Sequence, residues 1–203
     1  MICCHGKSTD FSPTEAEGTT QPMTTMAPIQ SPSWIDINKV TNDSLTVEWE
    51  ETNAKDYKIS VDDGKVGKEF NTSKTNYKIE KLTCGTLYNI TVQGCDQDCS
   101  LPKTSETAIT KPNPPDALKV KVDISNRMTV SWTPPASCGL PMSYNVTVLV
   151  GEDVKFNDVT DETEITTGYL EANKKHNINV FSFVQQYPGL ISEKLEGFDY
   201  TYP

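Results

Sequence analysis

The 203-residue sequence has few of the features that membrane-spanning or nucleic-acid-binding proteins require. No apolar run approaches the roughly 20 residues that cross a bilayer. Lys and Arg number 18 against 28 Asp and Glu, which gives a formal net charge of −10, and the basic residues form no cluster. Nucleic acid and anionic membrane surfaces both require a basic face, so neither is expected as a partner. Contact with a membrane would need a transmembrane segment outside this sequence.

Catalytic and metal-binding motifs are also missing. The two histidines are His5 and His176, and neither combines accessibility with an orienting acid, as a Ser-His-Asp or Cys-His arrangement requires. There is no glycine-rich phosphate loop and no Cys-x-x-Cys zinc spacing. Asp96 and Asp98 lie between two cysteines, but they fall short of a calcium ligand set and indicate a polar hairpin tip. The sequence therefore predicts no enzyme activity, no metal and no cofactor within these residues.

Residues 1–32 show no hydrophobic periodicity, and most of this segment is rich in Thr, Ser, Pro and Glu. Such a composition cannot bury enough apolar surface to offset the entropy of ordering. We predict a disordered leader over residues 1–32, either a mucin-like O-glycosylated stalk or a plain linker. The first seven residues contain no apolar stretch long enough for a signal peptide. The sequence is therefore expected to begin inside a longer precursor or at an added methionine.

Beyond residue 32, apolar and polar residues alternate in short stretches, which is typical of half-buried β-strands. One stretch, Leu45–Trp49, ends in a tryptophan, and another, Tyr88–Val92, begins with a tyrosine. Leu82 lies six residues before Tyr88, and turn-forming residues separate the two. A tyrosine in this position suits a tyrosine corner, in which the ring fills the edge of the core and the hydroxyl bonds back to the corner backbone.

The tryptophan strand followed by Leu82-x-x-Gly85-Thr86-x-Tyr88 resembles a fibronectin type III domain, although that family usually has proline where this chain has Cys84. An immunoglobulin domain would need a cysteine pair joining strands two and six. Neither Leu45–Trp49 nor Tyr88–Val92 contains a cysteine, so the fibronectin type III resemblance is preferred. It implies a seven-stranded β-sandwich, and short strands with turn signals between them fill residues 33–111.

The strand pattern repeats after a proline-rich connector, residues 112–115. Trp132 ends a second tryptophan strand, as Trp49 ends the first. His176 occupies the tyrosine-corner position of the repeat, and we interpret it as a structural substitute that makes the same backbone bond. Residues 116–203 thus resemble a second fibronectin type III domain. The predicted fold class is all-β, with two consecutive seven-stranded fibronectin type III-like sandwiches after the disordered leader.

Six cysteines and the N-glycosylation sequons indicate an extracellular location, either secreted or in the ectodomain of a plasma-membrane protein. The Asn-x-Ser/Thr sequons begin at Asn42, Asn71, Asn89 and Asn145. Asn89 and Asn145 alternate with core-forming residues, so both are expected to face solvent. A bulky glycan could be carried there without touching the core.

The resemblance also fixes where four cysteines lie. In a seven-strand traverse, Cys84 precedes strand six at one pole of the domain, and Cys95 and Cys99 follow that strand at the other pole. The strand separates the two loops by about 20 Å, whereas a disulfide needs Cα atoms within ~7 Å. Cys138, in the loop after the second tryptophan strand, lies at the pole that abuts Cys84.

We predict an interdomain disulfide Cys84–Cys138 and a local one, Cys95–Cys99. In one alternative Cys84 and Cys138 are free, and in another a leader cysteine, Cys3 or Cys4, pairs with one of them.

Tandem fibronectin type III domains usually serve receptors, cell-adhesion molecules and matrix proteins. The sequence has no Arg-Gly-Asp and no Trp-Ser-x-Trp-Ser. The leader followed by glycosylated repeats is similar to receptor-type tyrosine phosphatase ectodomains, whose enzyme domain would lie in a cytoplasmic part outside these residues. Two hypotheses stay open: recognition of a protein ligand or counter-receptor, and a rigid spacer that holds a distal region away from the membrane. A glycan-free apolar patch would favour recognition, and glycans on every face would favour the spacer.

Overall fold

The computed structural model of the protein describes residues 28–96, 99 and 102–203, and within them the secondary structure is almost entirely antiparallel β-strand. The predicted leader falls mostly outside this part of the chain, as do Cys3, Cys4 and Asp98. Among the described residues, no helix has the length and apolarity needed to cross a bilayer.

The first sandwich consists of two antiparallel sheets built from seven strands. The strands are β1 (Ile35–Asn38), β2 (Leu45–Trp49), β3 (Asp56–Asp62), β4 (Gly67–Thr72), β5 (Asn76–Ile79), β6 (Leu87–Cys95) and β7 (Thr104–Ile109). One sheet has the order β1-β2-β5 and the other β4-β3-β6-β7. This arrangement places the loop before β6 and the loop after β6 at opposite poles of the sandwich.

The second sandwich repeats this plan with its last strand in two pieces. Its strands are β8 (Asp116–Val122), β9 (Met128–Thr133), β10 (Met142–Val150), β11 (Asp153–Thr160), β12 (Glu164–Thr166), β13 (Lys175–Val184), β14 (Tyr187–Ile191) and β15 (Leu195–Tyr200). One sheet has the order β12-β9-β8, and in the other β14 and β15 pair with successive parts of β13, beside β10 and β11. Eight strand segments therefore fill seven strand positions.

Each sandwich has its own hydrophobic core, and a tryptophan lies in both. Trp49 and Trp132 are buried, and each packs edge-on against a tyrosine of the facing sheet, Tyr57 at 5.4 Å and Tyr144 at 5.2 Å between ring centroids. The apolar residues that alternate along the central strands supply the rest of each core. Each large side chain buried in this way contributes about 1.5–3 kcal/mol of stability. Each domain thus buries its own set of apolar residues.

The two domains use different hydrogen bonds at the corner that precedes their central strand. In the first, the backbone N–H of Thr83 donates to the Tyr88 hydroxyl at 2.8 Å, which is the geometry of a tyrosine corner. In the second, His176 is fully buried, and its Nδ1 donates to the carbonyl of Lys174 at 3.2 Å. The expected copy of the tyrosine bond is therefore not formed, because the shorter imidazole bonds to a carbonyl two residues away and does not reach a corner amide.

A buried threonine completes both corners. In the first domain, Thr110 Oγ1 accepts from the N–H of Thr86 at 3.0 Å and donates to the carbonyl of Thr83 at 2.6 Å. In the second, Thr201 Oγ1 accepts from the N–H of Lys174 at 3.1 Å and donates to the carbonyl of Glu171 at 2.5 Å. The threonine thus satisfies the same two backbone groups at each corner, and only the first corner adds a bond to a tyrosine hydroxyl.

Candidate functional site: the interdomain joint and the exposed sheet face

A disulfide connects the two domains. Cys84, before β6, is bonded to Cys138, between β9 and β10, with 4.7 Å between their Cα atoms. Two backbone hydrogen bonds run beside it, from Gly139 N to the Cys84 carbonyl at 3.0 Å and from Leu140 N to the Gly85 carbonyl at 2.9 Å. A covalent bond and a short backbone ladder therefore act at the same contact, which we call the joint.

The joint depends on two glycines, one from each domain. Gly85 has a φ of +52°, a backbone conformation that residues other than glycine rarely adopt. A Cβ atom at Gly139 would lie 2.3 Å from Thr86 Oγ1. Thr86 is buried, and its hydroxyl donates to the Cys84 carbonyl at 3.0 Å, so it cannot move aside without losing that bond. The close approach of the two backbones thus requires glycine at position 139.

The linker adds contacts with both domains through one residue. The Asn113 carbonyl accepts from Ser182 Oγ at 2.5 Å, and its side-chain Oδ1 accepts from Asn42 Nδ2 at 2.7 Å. Asn42 belongs to the first domain and Ser182 to β13 of the second. The linker is thus tied on both sides, which restrains the angle between the domains in addition to the disulfide.

The second disulfide, Cys95–Cys99, is local, with 4.6 Å between the Cα atoms. It follows β6 at the pole opposite the joint, where Lys55 Nζ and Asp96 Oδ1 form an ion pair at 3.1 Å. The described residues contain no group of three or more His, Cys, Asp or Glu side chains that could hold a metal ion. The disulfide joins the last residue of β6 to Cys99.

The shifted carboxyl pKa values offer no acid–base pair within the described residues. Backbone N–H donors of Val66 and Lys65 lower the pKa of Asp63, and the backbone N–H of Arg127 lowers the pKa of Asp123. A catalytic carboxylic acid at neutral pH would need the opposite shift. These lowered values reflect turns that are capped by an aspartate.

The sequons lie in different surroundings. Asn71 and Asn89 are exposed on the outer face of the β4-β3-β6-β7 sheet, and Asn145 is half-buried on the outer face of β10. Asn42 is exposed, but its amide nitrogen donates to the linker. A glycan on Asn42 would therefore replace a contact of the joint, whereas glycans on the other three would extend from sheet faces.

An exposed aromatic cluster lies on the outer face of the second domain, on neighbouring strands β13 and β15. Its members are Lys175, Phe198 and Tyr200, and the two rings are 57% and 58% exposed. Lys175 Nζ lies 4.0 Å from the centroid of the Phe198 ring, and the Tyr200 ring meets Phe198 edge-on at 6.1 Å. The sequence pattern of Leu195, Phe198 and Tyr200 predicts the strand that closes the second sandwich, and β15 fills this place beside β13. Leu195 has the opposite parity to the two rings along β15, and of the three only Leu195 packs on the core.

The comparisons with known proteins agree with this architecture. The family model of the fibronectin type III domain matches residues 30–110. Fibronectin type-III domain-containing protein 3A of Mus musculus is 26% identical over 159 residues, which cover 70% of this chain and 13% of that protein. The chain therefore spans a small part of the length of this curated relative.

A solved two-domain structure has the same fold. A two-domain fibronectin type III segment from chicken tenascin matches with a TM-score of 0.60 and 22% identity, covering 85% of this chain and all of that segment. The FN1–FN3 domains of chicken CNTN1 match with a TM-score of 0.41 and 16% identity, over 85% of this chain and 67% of that one. The family model assigns residues 30–110 to the fibronectin type III domain, and the tenascin segment has the same two-domain fold as this chain.

Proposed function

We propose that this tandem belongs to the extracellular region of a cell-surface glycoprotein and recognises a protein ligand or counter-receptor through the aromatic cluster. The observation that carries the proposal is the exposure of Phe198 and Tyr200 on one sheet face, with the Lys175 ammonium over the Phe198 ring. Aromatic side chains are enriched at protein interfaces, where they supply much of the binding energy. A protein partner of the second domain would bury both rings.

The cluster has the geometry of a preorganised contact surface. The ammonium of Lys175 over the Phe198 ring and the edge-on Tyr200 restrict the rotation of both rings before any partner arrives. Restricting side chains in advance lowers the entropy that binding must overcome. A protein partner would then meet rings that are already in place.

The sequons leave this part of the face uncovered. Phe198 lies across from Asn177 on β13, whereas Asn145 lies across from Phe181. Four residues along a strand correspond to about 13 Å. A glycan on Asn145 would thus start well away from the aromatic cluster, which supports recognition at that end of the face.

The experiment compares binding of the tandem, made in a secretory host, to an array of purified cell-surface ectodomains. Phe198→Ser should abolish binding to the partner by removing the central ring. Tyr169→Ser is the matched control, because Tyr169 is an exposed aromatic residue of the same domain outside the cluster. Equal binding by both variants would place the interface elsewhere.

The joint favours a second candidate function, a rigid spacer without a specific ligand. The disulfide, the backbone ladder and the linker contacts of Asn113 all restrain the angle between the domains. A spacer needs only this stiffness and no exposed rings. The same array separates the two candidate functions. A spacer binds no ectodomain on the array, so Phe198→Ser has no binding to abolish.

A further inference from the structure

A second apolar region lies on the same sheet face of the second domain, and a sequon occupies its centre. Asn145 on β10 lies directly across from Phe181 on β13 and from Val159 on β11. Together with neighbouring apolar residues, these form a shallow groove that we call the sequon groove. It is lined by Asn145, Val159, Phe181, Phe183, Pro188 and Ile191.

The Asn145 side chain is oriented for attachment. Thr147, the third residue of the sequon, points to the same face, and its Oγ1 donates to Asn145 Oδ1 at 3.2 Å. The amide nitrogen Nδ2, which would carry the sugar, makes no hydrogen bond with any described residue. Thr147 Oγ1 also lies 3.2 Å from Asn157 Oδ1, so its one proton is shared between two acceptors, while the Asn145 nitrogen is available.

The surroundings distinguish Asn145 from the other sequons on strands. Asn89 lies across from Asp62 and Thr107, and Asn71 lies across from Lys58. These polar neighbours offer no apolar surface to a sugar. Val159 and Ile191 in the sequon groove are 53% and 50% exposed, an apolar surface that contacts only water in the free chain.

We propose that Asn145 carries an N-linked glycan whose first N-acetylglucosamine packs in the sequon groove against Phe181. One face of a pyranose ring presents C–H groups, which suit the negative face of an aromatic ring. Directly opposed residues on antiparallel strands have Cβ atoms about 4.5–5.5 Å apart, so a sugar on Asn145 lies within reach of the Phe181 ring. Because the sugar is covalently tethered, its effective concentration at the groove far exceeds that of a free ligand.

The attachment is the transfer reaction of the secretory pathway. Asn145 Nδ2 forms a bond to C1 of the sugar and loses one proton. The donor is a lipid-linked oligosaccharide, and the bond that breaks is the one from C1 to its lipid diphosphate, which leaves. The product places an amphipathic ring over apolar surface that would otherwise remain exposed.

The test is a cycle of variants of the whole tandem, made in a secretory host and again in a bacterial host that adds no glycan. In the secretory host, Asn145→Gln should raise the unfolding equilibrium constant of the second domain roughly fivefold, the size of one aromatic contact. Asn89→Gln, the matched control, should leave it unchanged. Without glycans, Asn145→Gln should have no such effect, which separates the sugar from the lost Thr147 bond.

Phe181→Thr completes the cycle. In the glycosylated protein, this change should remove the effect of Asn145→Gln, because the sugar no longer has a ring to pack on. Trimming the glycan to its first N-acetylglucosamine should leave the unfolding constant as it is. Glycopeptide mapping that finds Asn145 unmodified overturns the proposal, as does an Asn145→Gln effect that persists with Phe181→Thr. Capture of a protein partner or a second copy in the groove of the glycosylated tandem also overturns it.

Discussion

At the scale of single residues, a few side chains determine both cores and both corners. The two tryptophans occupy equivalent places in the two sandwiches and each meets a tyrosine of the facing sheet. The two buried threonines, Thr110 and Thr201, satisfy the same pair of backbone groups at each corner. The domains are thus repeated in their hydrogen bonding as well as in their strand order, although one corner has tyrosine and the other histidine.

Replacing Trp49 by alanine should destabilise the first domain by about 3–5 kcal/mol, because the large cavity cannot be filled by neighbouring side chains. That cost is a large fraction of the stability of a small domain. Denaturant unfolding, monitored by hydrogen exchange of the backbone amides in β2 and β6, measures this loss of stability. Trp34→Ala is the control, since Trp34 is half-exposed and should change stability by less than about 0.5 kcal/mol. Equal effects of the two changes would contradict the assignment of Trp49 to the core.

Tyr88→Phe removes only the hydroxyl that accepts from the Thr83 N–H. The part-buried amide then loses its partner, so the free energy of unfolding of the first domain should fall by about 0.5–1.5 kcal/mol. The same change at Tyr200, whose ring is exposed on the sheet face, should have no measurable effect on stability. Faster exchange of the Thr83 amide in Tyr88→Phe would locate the loss at the corner.

At the scale of elements, alternation predicted the central strands well. Leu45–Trp49 and Tyr88–Val92 lie in β2 and β6, because strands with one buried face must alternate. The edge strand β11 has mostly exposed residues and carries no such pattern, so sequence reasoning did not reveal it. The split of the last strand into β14 and β15 also has no periodic signal.

The candidate surfaces were predictable only in part. The strand order that the fibronectin type III resemblance implies placed Cys84 and Cys138 at facing poles. The length of the strand between Cys84 and Cys95 excluded a disulfide within the first domain. The contacts of Asn113 with both domains depend on the angle of the joint, which no local pattern encodes. The outward direction of Phe198 was available in the sequence, since it has the opposite parity to Leu195 along β15. Apolar character alone therefore did not distinguish core from surface there.

Gly139→Ala tests the contact between the two loops at the joint. The new Cβ would collide with Thr86, so the backbones of the two loops should separate and the hydrogen bonds from Gly139 and Leu140 should weaken. Spin labels on β4 and β11 should report a broader distance distribution than in the unchanged protein. Gly168→Ala is the matched control, because nothing lies within 4 Å of its Cβ position. An unchanged distribution in Gly139→Ala would show that the close approach is not needed.

At the scale of the whole molecule, the disulfide Cys84–Cys138 links two domains that each have their own core, and we expect it to restrict the angle between them. Peptide mapping without reduction should recover one cross-linked pair joining these residues and another joining Cys95 to Cys99. Replacing Cys84 and Cys138 together by serine should broaden the distances between the domains while leaving each core folded, since neither core includes these cysteines. The double change of Cys95 and Cys99 to serine is the control, because that bridge closes a loop within one domain and should leave the interdomain distances as they were. A peptide joining Cys84 to Cys95 or Cys99 would contradict the strand order, because β6 holds those residues at opposite poles of the sandwich.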